Sequence, residues 1–487
     1  MKNIRLIRDI VIFVLFVAII ALPILNFNRI SGKISENENR YLATFPKLTD
    51  EEGNIVLEGF KTGFESWLND NIGFRDQLVE LYGKIKLNVF HDSPNSQVEK
   101  GKDGWNFYTL VNNMDIAYGN YPLTEDDIKI LADMQQRISD YYTSKGIEYV
   151  LILPPSKVSI YPEYIASGDF TYTETPVDMV SDYLEKNTTV KCISVKDDLI
   201  ASKSEGQLYY KTDTHWNQRG AYVAYKSIID GLKEFGITDG DYEEVDFVDS
   251  EYKGEFAAMM GNKDLLPPEK TEDTVIINKN AERTQDGELY NRLFGLKEQY
   301  SVNTPVYLYN NDSIRDKKML FYGDSMFGSW NATELLAEHF SQFTFLWSYE
   351  MIPEYVDELQ PDVVVYEITE RFINTLPGRN HRFLIEGIDV KIEADNITSD
   401  AENYYITVEN TGSVKWTETG EFNLGLLADG EDCSVRASMK ENETVEPGGR
   451  YTFAIRKKDI PKNASKVEAV MVQENVTYFG DTVRIGN

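Results

Sequence analysis

Residues 147–153, IEYVLIL, decide the fold. An almost unbroken apolar run suits a strand covered on both faces, which is how strands of a parallel sheet read. Upstream, Thr124 with Asp127 forms an N-cap with an acidic third residue. Ile128, Leu131, Ile138 and Tyr142 then keep helical spacing, and Gly146 fits the position after a helix. Downstream the unit recurs. A helix opens near Pro176 before a short strand at 190–195, and another follows Asn217 and runs to about Phe235. Strands at 319–322, 343–348 and 363–368 alternate with helices at 332–340 and from Pro353. Repeated β–α alternation predicts an α/β domain over 124–385, built on a doubly wound parallel sheet. Residues 240–317 lack this rhythm and read as a long, loop-rich insertion.

Both flanks have a different texture. From residue 386 to 487, YYITVEN, FNLGLL, SVRASM, YTFAIR and VEAVMV are short strands at nearly even spacing, parted by turn residues, which predicts an antiparallel β-sandwich. Residues 35–123 form a stem and the entry to the α/β domain. Phe60, Phe64, Trp67 and Leu68 share one face of an amphipathic segment that reaches about Val89 and reads as a helical lid or stem packed on the body. In GKDGWNFY (101–108), turn residues feed an aromatic strand. At the N-terminus, IVIFVLFVAIIALPIL (10–25) carries no charge and follows Lys2, Arg5 and Arg8. The run covers about 24 Å against a hydrocarbon core of roughly 30 Å, a gap that snorkelling and local thinning can close. Residues 1–34 therefore read as a cytoplasmic tip and a single-pass anchor with the body outside. A cleaved signal peptide is the alternative, although PILNF (23–27) is a poor small-x-small site.

Composition excludes several functions. The 487 residues are 42% hydrophobic and 26% charged, which is ordinary for a globular chain. The balance of 49 basic against 80 acidic residues gives −31. A field of that sign repels phosphate backbones and argues against nucleic acid, and against docking on anionic lipid through a basic face. Cys192 and Cys433 with four histidines are too few for zinc-finger, iron–sulfur or disulfide scaffolds, and no metal or cofactor is expected.

Three stretches carry possible chemistry. In DTHWN (213–217), between a strand-like LYY and a helix, Asp213 can hold Nδ1–H of His215 while Nε2 points outward as a base. In LFYGDSMFGSW (320–330), a buried strand ends at Gly323, and Ser325 offers a hydroxyl at the sheet edge with its amide near a helix N-terminus. The bland alternative is that Asp324 or Ser325 only caps that helix. Together Ser325, His215 and Asp213 supply nucleophile, base and orienting acid, the logic of acyl transfer. In LPPSKVSIYPEY (153–164), Lys157 can offer charge to an oxyanion or acyl donor, or stand as a solvated loop lysine. Lys157, Trp216, Trp330 and Arg371 are the expected substrate-binding residues.

The order of N-terminal anchor, ENR-x-LA-x-FP, GKDGWNFY, PPSK, DTHWN, GDS and VVVYEITERF resembles the AlgX/AlgJ-type alginate O-acetyltransferases of the SGNH-hydrolase-like superfamily, and most of all their DHHW-type relatives. The resemblance covers residues 35–372. It implies an SGNH-like fold, with Asp-x-His before the serine in sequence, and maps nucleophile, base and orienting acid onto Ser325, His215 and Asp213. It also implies a polytopic membrane O-acyltransferase as acyl donor and a polysaccharide acceptor. No motif matches the family's alginate-binding surface, and −31 would repel a polyuronate. NTGSVKW, VEPGG and YFGD in the tail resemble the tryptophan-bearing Ig-like domain of autophagy cargo receptors and their bacterial relatives, which implies a sandwich with Trp416 in its core. The leading expectation is an extracytoplasmic serine-dependent O-acetyltransferase. A carbohydrate esterase with the same residues, or a non-catalytic wall-glycan-binding protein, are the alternatives.

Overall fold

The computed structural model describes every residue except 1, 28–31, 36–39, 50–54, 169, 171–172, 301, 303–305, 315–316, 381–386, 418–419, 441–442, 462, 475 and 486–487. The expected domain boundary at 385/386 lies outside the described residues, as do Glu38 and Asn39 of the stem motif.

Local chemistry sets the helices. The Thr124 amide donates to Asp127 Oδ2 at 2.8 Å and the Asp127 amide to Thr124 Oγ1 at 3.1 Å, a reciprocal cap that opens Glu125–Ser144. That helix stops at Lys145, followed by Gly146 at φ +74°, a conformation glycine adopts without steric cost. Asn217 Oδ1 accepts from the Gly220 amide at 2.9 Å and starts Gln218–Glu234.

Seven strands form the main sheet: β1 (Glu148–Leu153), β2 (Lys191–Ser194), β3 (Glu282–Thr284), β4 (Val306–Asn310), β5 (Lys318–Gly323), β6 (Gln342–Trp347) and β7 (Val363–Glu367). Their order is β2-β1-β7-β5-β6-β4-β3. The first five in that order run parallel, and β4 and β3 add an antiparallel edge. Alternate residues feed two cores. Val150, Ile152, Phe321, Phe345 and Val365 face the side covered by Gln218–Glu234. Leu151, Leu153, Leu320, Tyr322 and Val364 face the side covered by Glu125–Ser144, Pro176–Asn187 and Pro353–Leu359. Burying each such side chain contributes about 1.5–3 kcal/mol, so both faces hold the sheet in register. This is the doubly wound α/β arrangement.

Residues 240–317 are more ordered than a loop-rich insertion. They supply β3 and β4, the helix Gly287–Gln299, and a hairpin pairing Val245–Tyr252 with Glu269–Ile276. The hairpin sequences VDFVDSEY and EKTEDTVI are acid-rich and mostly exposed or half-buried, so they lack the apolar runs that mark buried strands.

The amphipathic stem is two helices, Leu57–Asn71 and Arg75–Asn88. The break falls where Ile72 turns extended and Phe74 turns left-handed at φ +59°. Phe60, Phe64 and Trp67 of the first helix gather around Phe45, and the second helix packs on the body through the buried Gly83 and Leu87 while its larger apolar face stays exposed. The N-terminal helix is Lys2–Leu25, and its stretch Ile7–Leu25 is long and apolar enough to cross a membrane.

Beyond the α/β body, a three-stranded and a four-stranded antiparallel sheet share one core. Trp416 is fully buried there, with ring centroids 6.1 Å from Phe422 and 6.0 Å from Phe479.

Candidate functional site

The exits of three parallel strands meet at the carboxyl edge of the sheet, where doubly wound folds place their sites. Beyond β5, Ser325 sits on a turn whose Phe327 and Gly328 amides both donate to the Asp324 carbonyl. The buried Asp324 carboxylate accepts from the Met326 amide at 2.9 Å and from the Thr369 amide, past β7, at 3.2 Å. Glu367, at the end of β7, accepts from the Asp324 amide at 2.8 Å, and burial pushes its carboxyl well above the usual range. A Cβ on Gly323 would lie 2.7 Å from that carboxyl, so the position needs glycine for the close approach. The helix that follows spans Ala332–Ala337, within the expected 332–340, and opens after the left-handed pair Trp330 and Asn331 at φ +71° and +58°, so its N-terminus is not at Ser325. Asp324 therefore caps a turn rather than a helix, and the Ser325 amide has no helix N-terminus behind it.

DTHWN occupies the loop before Gln218–Glu234. His215 Nδ1 lies 2.6 Å from Asp213 Oδ1, and Nε2 lies 2.8 Å from Ser325 Oγ. An ionised carboxylate only accepts, so Nδ1 carries the proton and Nε2 is free to accept from the Ser325 hydroxyl. Burial alone would push Asp213 up, but the facing His215 and bonds from Tyr252 and the Glu255 amide hold it well below the usual carboxylate range. Burial likewise works to lower His215, but the charge and hydrogen bond of Asp213 outweigh it and raise the imidazole above its ordinary value. The arrangement is a poised base: protonation of the ring is compensated, and the serine proton has somewhere to go.

Sequence reading missed the residue that completes this chain. Tyr252, the last residue of the first hairpin strand, donates its hydroxyl to Asp213 Oδ2 at 2.7 Å, and the Glu255 amide donates to the same oxygen at 3.1 Å. A Cβ on Gly254 would stand 2.0 Å from the Thr212 carbonyl oxygen, so a glycine lets the hairpin close on the loop. Glu269, on the second hairpin strand, accepts from the Lys211 and Thr212 amides at 2.9 and 3.0 Å. The hairpin is thus the wall that holds Asp213. No sequence pattern near Tyr252 pointed to this, because the contact is made across the insertion.

The four expected substrate-binding residues divide. Lys157 is 3% exposed, not a solvated loop lysine. Its Nζ donates to the carbonyls of Tyr210 at 3.0 Å and Asp213 at 2.5 Å, over the Phe256 ring at 4.7 Å. Burial pushes it down to about 7. It pins the DTHWN loop from behind, and no surface remains for substrate. Trp216 is fully buried, edge-on to Phe327 at 5.3 Å, and belongs to the core for the same reason. Trp330 lies 5.6 Å from the His215 ring in a cluster with Tyr210 and Tyr252. Arg371 is buried over the Phe372 ring, within electrostatic reach of His215, and its Nε has no hydrogen-bond partner among the described residues. Trp330 and Arg371 thus adjoin the Asp213–His215–Ser325 chain, whereas Lys157 and Trp216 support it. Asp213, His215 and Glu255 could each turn one ligand atom to a cation within 4.8 Å of one another. Such an ion would have to break a hydrogen bond of His215, since both ring nitrogens are engaged.

Fold and site together define a class: an α/β protein with a serine–histidine–aspartate chain at the edge of a doubly wound sheet. The comparisons narrow it. Residues 98–303 match a family described as "SGNH hydrolase-like domain, acetyltransferase AlgX". That stretch contains Asp213 and His215 but ends before Ser325. The chain is similar to the probable alginate O-acetylase AlgJ of Pseudomonas syringae pv. tomato, 25% identical over 208 residues, covering 42% of this chain and 50% of the relative. It spans about half the length of the curated relatives it matches. Among solved structures, the O-acetyltransferase domain of Pseudomonas putida AlgJ is 17% identical with TM-score 0.39, covering 58% of this chain and 93% of that one. Bacillus cereus PatB1 is 16% identical with TM-score 0.41, covering 56% and 95%. The resemblance carried by the motifs is therefore found independently: the chain is similar to AlgX/AlgJ-type SGNH-hydrolase-like acetyltransferases.

Proposed function

We propose that this protein is a membrane-anchored, extracytoplasmic O-acetyltransferase that acylates a cell-surface or exported polysaccharide through an acyl-enzyme on Ser325. The observation that carries the reading is the continuous hydrogen-bonded chain from Asp213 through His215 to Ser325 Oγ. Ser325 Oγ attacks the acyl carbonyl of the donor while His215 Nε2 takes its proton, and Asp213 stabilises the imidazolium. The donor's leaving group departs with that proton, which leaves an acetyl ester on Oγ. A sugar hydroxyl then attacks the ester, gives its proton to Nε2, and Ser325 regains a proton as the product ester leaves. Tyr252 and the Glu255 amide keep Asp213 oriented. Trp330 offers a face on which a sugar ring can rest, and Arg371 a positive charge beside the base. A polytopic membrane O-acyltransferase is the proposed acyl donor, and the C-terminal sandwich, an Ig-like module, serves binding or spacing. The residues 7–25 serve as the anchor.

The relatives are named for alginate, but a net charge of −31 disfavours a polyuronate here, so the acceptor is a neutral or amino-sugar glycan. With p-nitrophenyl acetate and no sugar, a transferase gives a burst of about one equivalent and then slow turnover. Adding such an oligosaccharide then speeds turnover and yields O-acetylated sugar. Fast, steady acetate release that no glycan alters would identify an esterase instead.

A further inference from the structure

The helix Arg75–Asn88 carries an apolar stripe that the described residues leave uncovered. Leu78, Leu81, Tyr82, Ile85 and the C-cap residue Val89 recur at three- and four-residue spacing, so they share one face. They are between 41% and 65% exposed. On the opposite face Gly83 and Leu87 pack against the body at Leu265. Exposed apolar stripes of this kind mark a protein or membrane contact.

Contacts to the N-terminal helix set the depth at which this helix begins. The Gly73 amide donates to the Pro23 carbonyl at 2.9 Å, and the Trp67 ring lies 5.2 Å from Phe27. A Cβ on Gly73 would stand 2.3 Å from the Asn26 carbonyl oxygen, so the two segments touch backbone to backbone. Pro23 lies inside the apolar run Ile7–Leu25, roughly 3 Å short of its end. That span has 19 residues, about 28 Å, with Arg8 and Asp9 at its inner end, so all of its uncharged part, 10–25, is needed to cross a hydrocarbon core of roughly 30 Å. A run placed across the bilayer therefore puts Pro23 at the outer boundary. Gly73, bonded to it, and the first turn of the helix that starts beside Gly73 stand at the same level.

We propose that Arg75–Asn88, together with Phe74, lies in the outer headgroup layer of the bilayer with its apolar stripe against lipid. It thereby fixes the height and tilt of the α/β body above the membrane. The inference rests on the anchor reading above. Apolar burial, not charge, holds the contact, because a chain of −31 is repelled by anionic lipid. Tyr82, with an apolar ring and a polar tip, suits that layer.

The test uses the full chain in zwitterionic phosphatidylcholine vesicles, with Cys192→Ala and Cys433→Ser. An environment-sensitive fluorophore is placed singly through Leu81→Cys on the stripe, Glu80→Cys on the opposite face, or Val14→Cys in the apolar run. We expect the probe at 81 to be blue-shifted and quenched most by shallow nitroxide lipids. The probe at 14 should be quenched by deep nitroxides, and the probe at 80 by neither. Deep quenching at 14 with position 81 as unquenched as 80 would leave the anchor standing and overturn the inference. No quenching at 14 would overturn both. Protection of 81 only when another membrane protein is added would assign the face to that protein, and also overturn it. Leu81→Gln with Ile85→Gln should weaken the shallow quenching of a probe at Phe74→Cys while hydrolysis of p-nitrophenyl acetate, which reports the fold, stays unchanged.

Discussion

At His215 two influences oppose each other, and the balance gives a pH dependence. Burial favours the neutral ring, but Asp213 wins and raises the imidazole above its ordinary value of about 6.5. The neutral ring is the base, so acyl transfer should rise with pH along a limb centred above that value. Asp213→Asn removes the charge that holds the proton, so the limb should move to lower pH while the maximal rate falls by orders of magnitude. A limb that stays in place in Asp213→Asn would show that another group sets it. Tyr252→Phe tests the hairpin's contribution. It deletes one hydrogen bond to a charged acceptor, worth about 1.5–3 kcal/mol, so kcat should fall roughly tenfold or more with KM for the acceptor unchanged. A raised KM with unchanged kcat would place Tyr252 in substrate binding instead. The grouping of Asp213, His215 and Ser325 was legible because one short motif precedes a helix and the other follows a buried strand. Tyr252 was not, since its bond to Asp213 spans 39 positions from an acidic hairpin strand that announces nothing.

At the scale of elements, legibility followed burial. Strands covered on both faces, such as β1 and β7, show as apolar runs, and capping residues such as Thr124 and Asn217 mark where helices start. The hairpin Val245–Tyr252/Glu269–Ile276 escaped because its acid-rich strands are mostly exposed or half-buried and the loop it braces is polar. Lys157 was misplaced for a related reason: sequence gave its strand exit but not the aromatic rings and carbonyls that enclose its ammonium. Lys157→Met keeps the volume and leaves the Tyr210 and Asp213 carbonyls without that donor, at about 1–3 kcal/mol each. Thermal stability and the acylation rate should both fall, with the acceptor KM unchanged. A selective rise in KM at full stability would return Lys157 to the substrate.

Across the whole molecule the two cores of the sheet are separate from the core around Trp416, so damage in one should be local. Trp416→Ala empties the centre of the sandwich at a cost of about 3–5 kcal/mol. It should melt that module early in calorimetry while the acylation of Ser325 by a small ester persists; loss of both together would make the sandwich part of the catalytic body. At this scale the composition carries an expectation of its own: −31 disfavours anionic acceptors, an effect that should fade as salt rises. What sequence could not supply was the docking of the stem on the end of the apolar run, because that rests on backbone contact of Gly73 with Pro23 and Asn26 and on the Trp67–Phe27 ring pair, none of which a motif announces. The central claim, an acyl-enzyme that passes its acetyl group to a sugar, is tested most directly by peptide mass mapping of protein quenched during turnover with p-nitrophenyl acetate. One acetyl group should be found on Ser325, absent from Ser325→Ala and His215→Ala, and should disappear as O-acetylated oligosaccharide forms. An unmodified Ser325, or undiminished transfer by Ser325→Ala, would contradict the account.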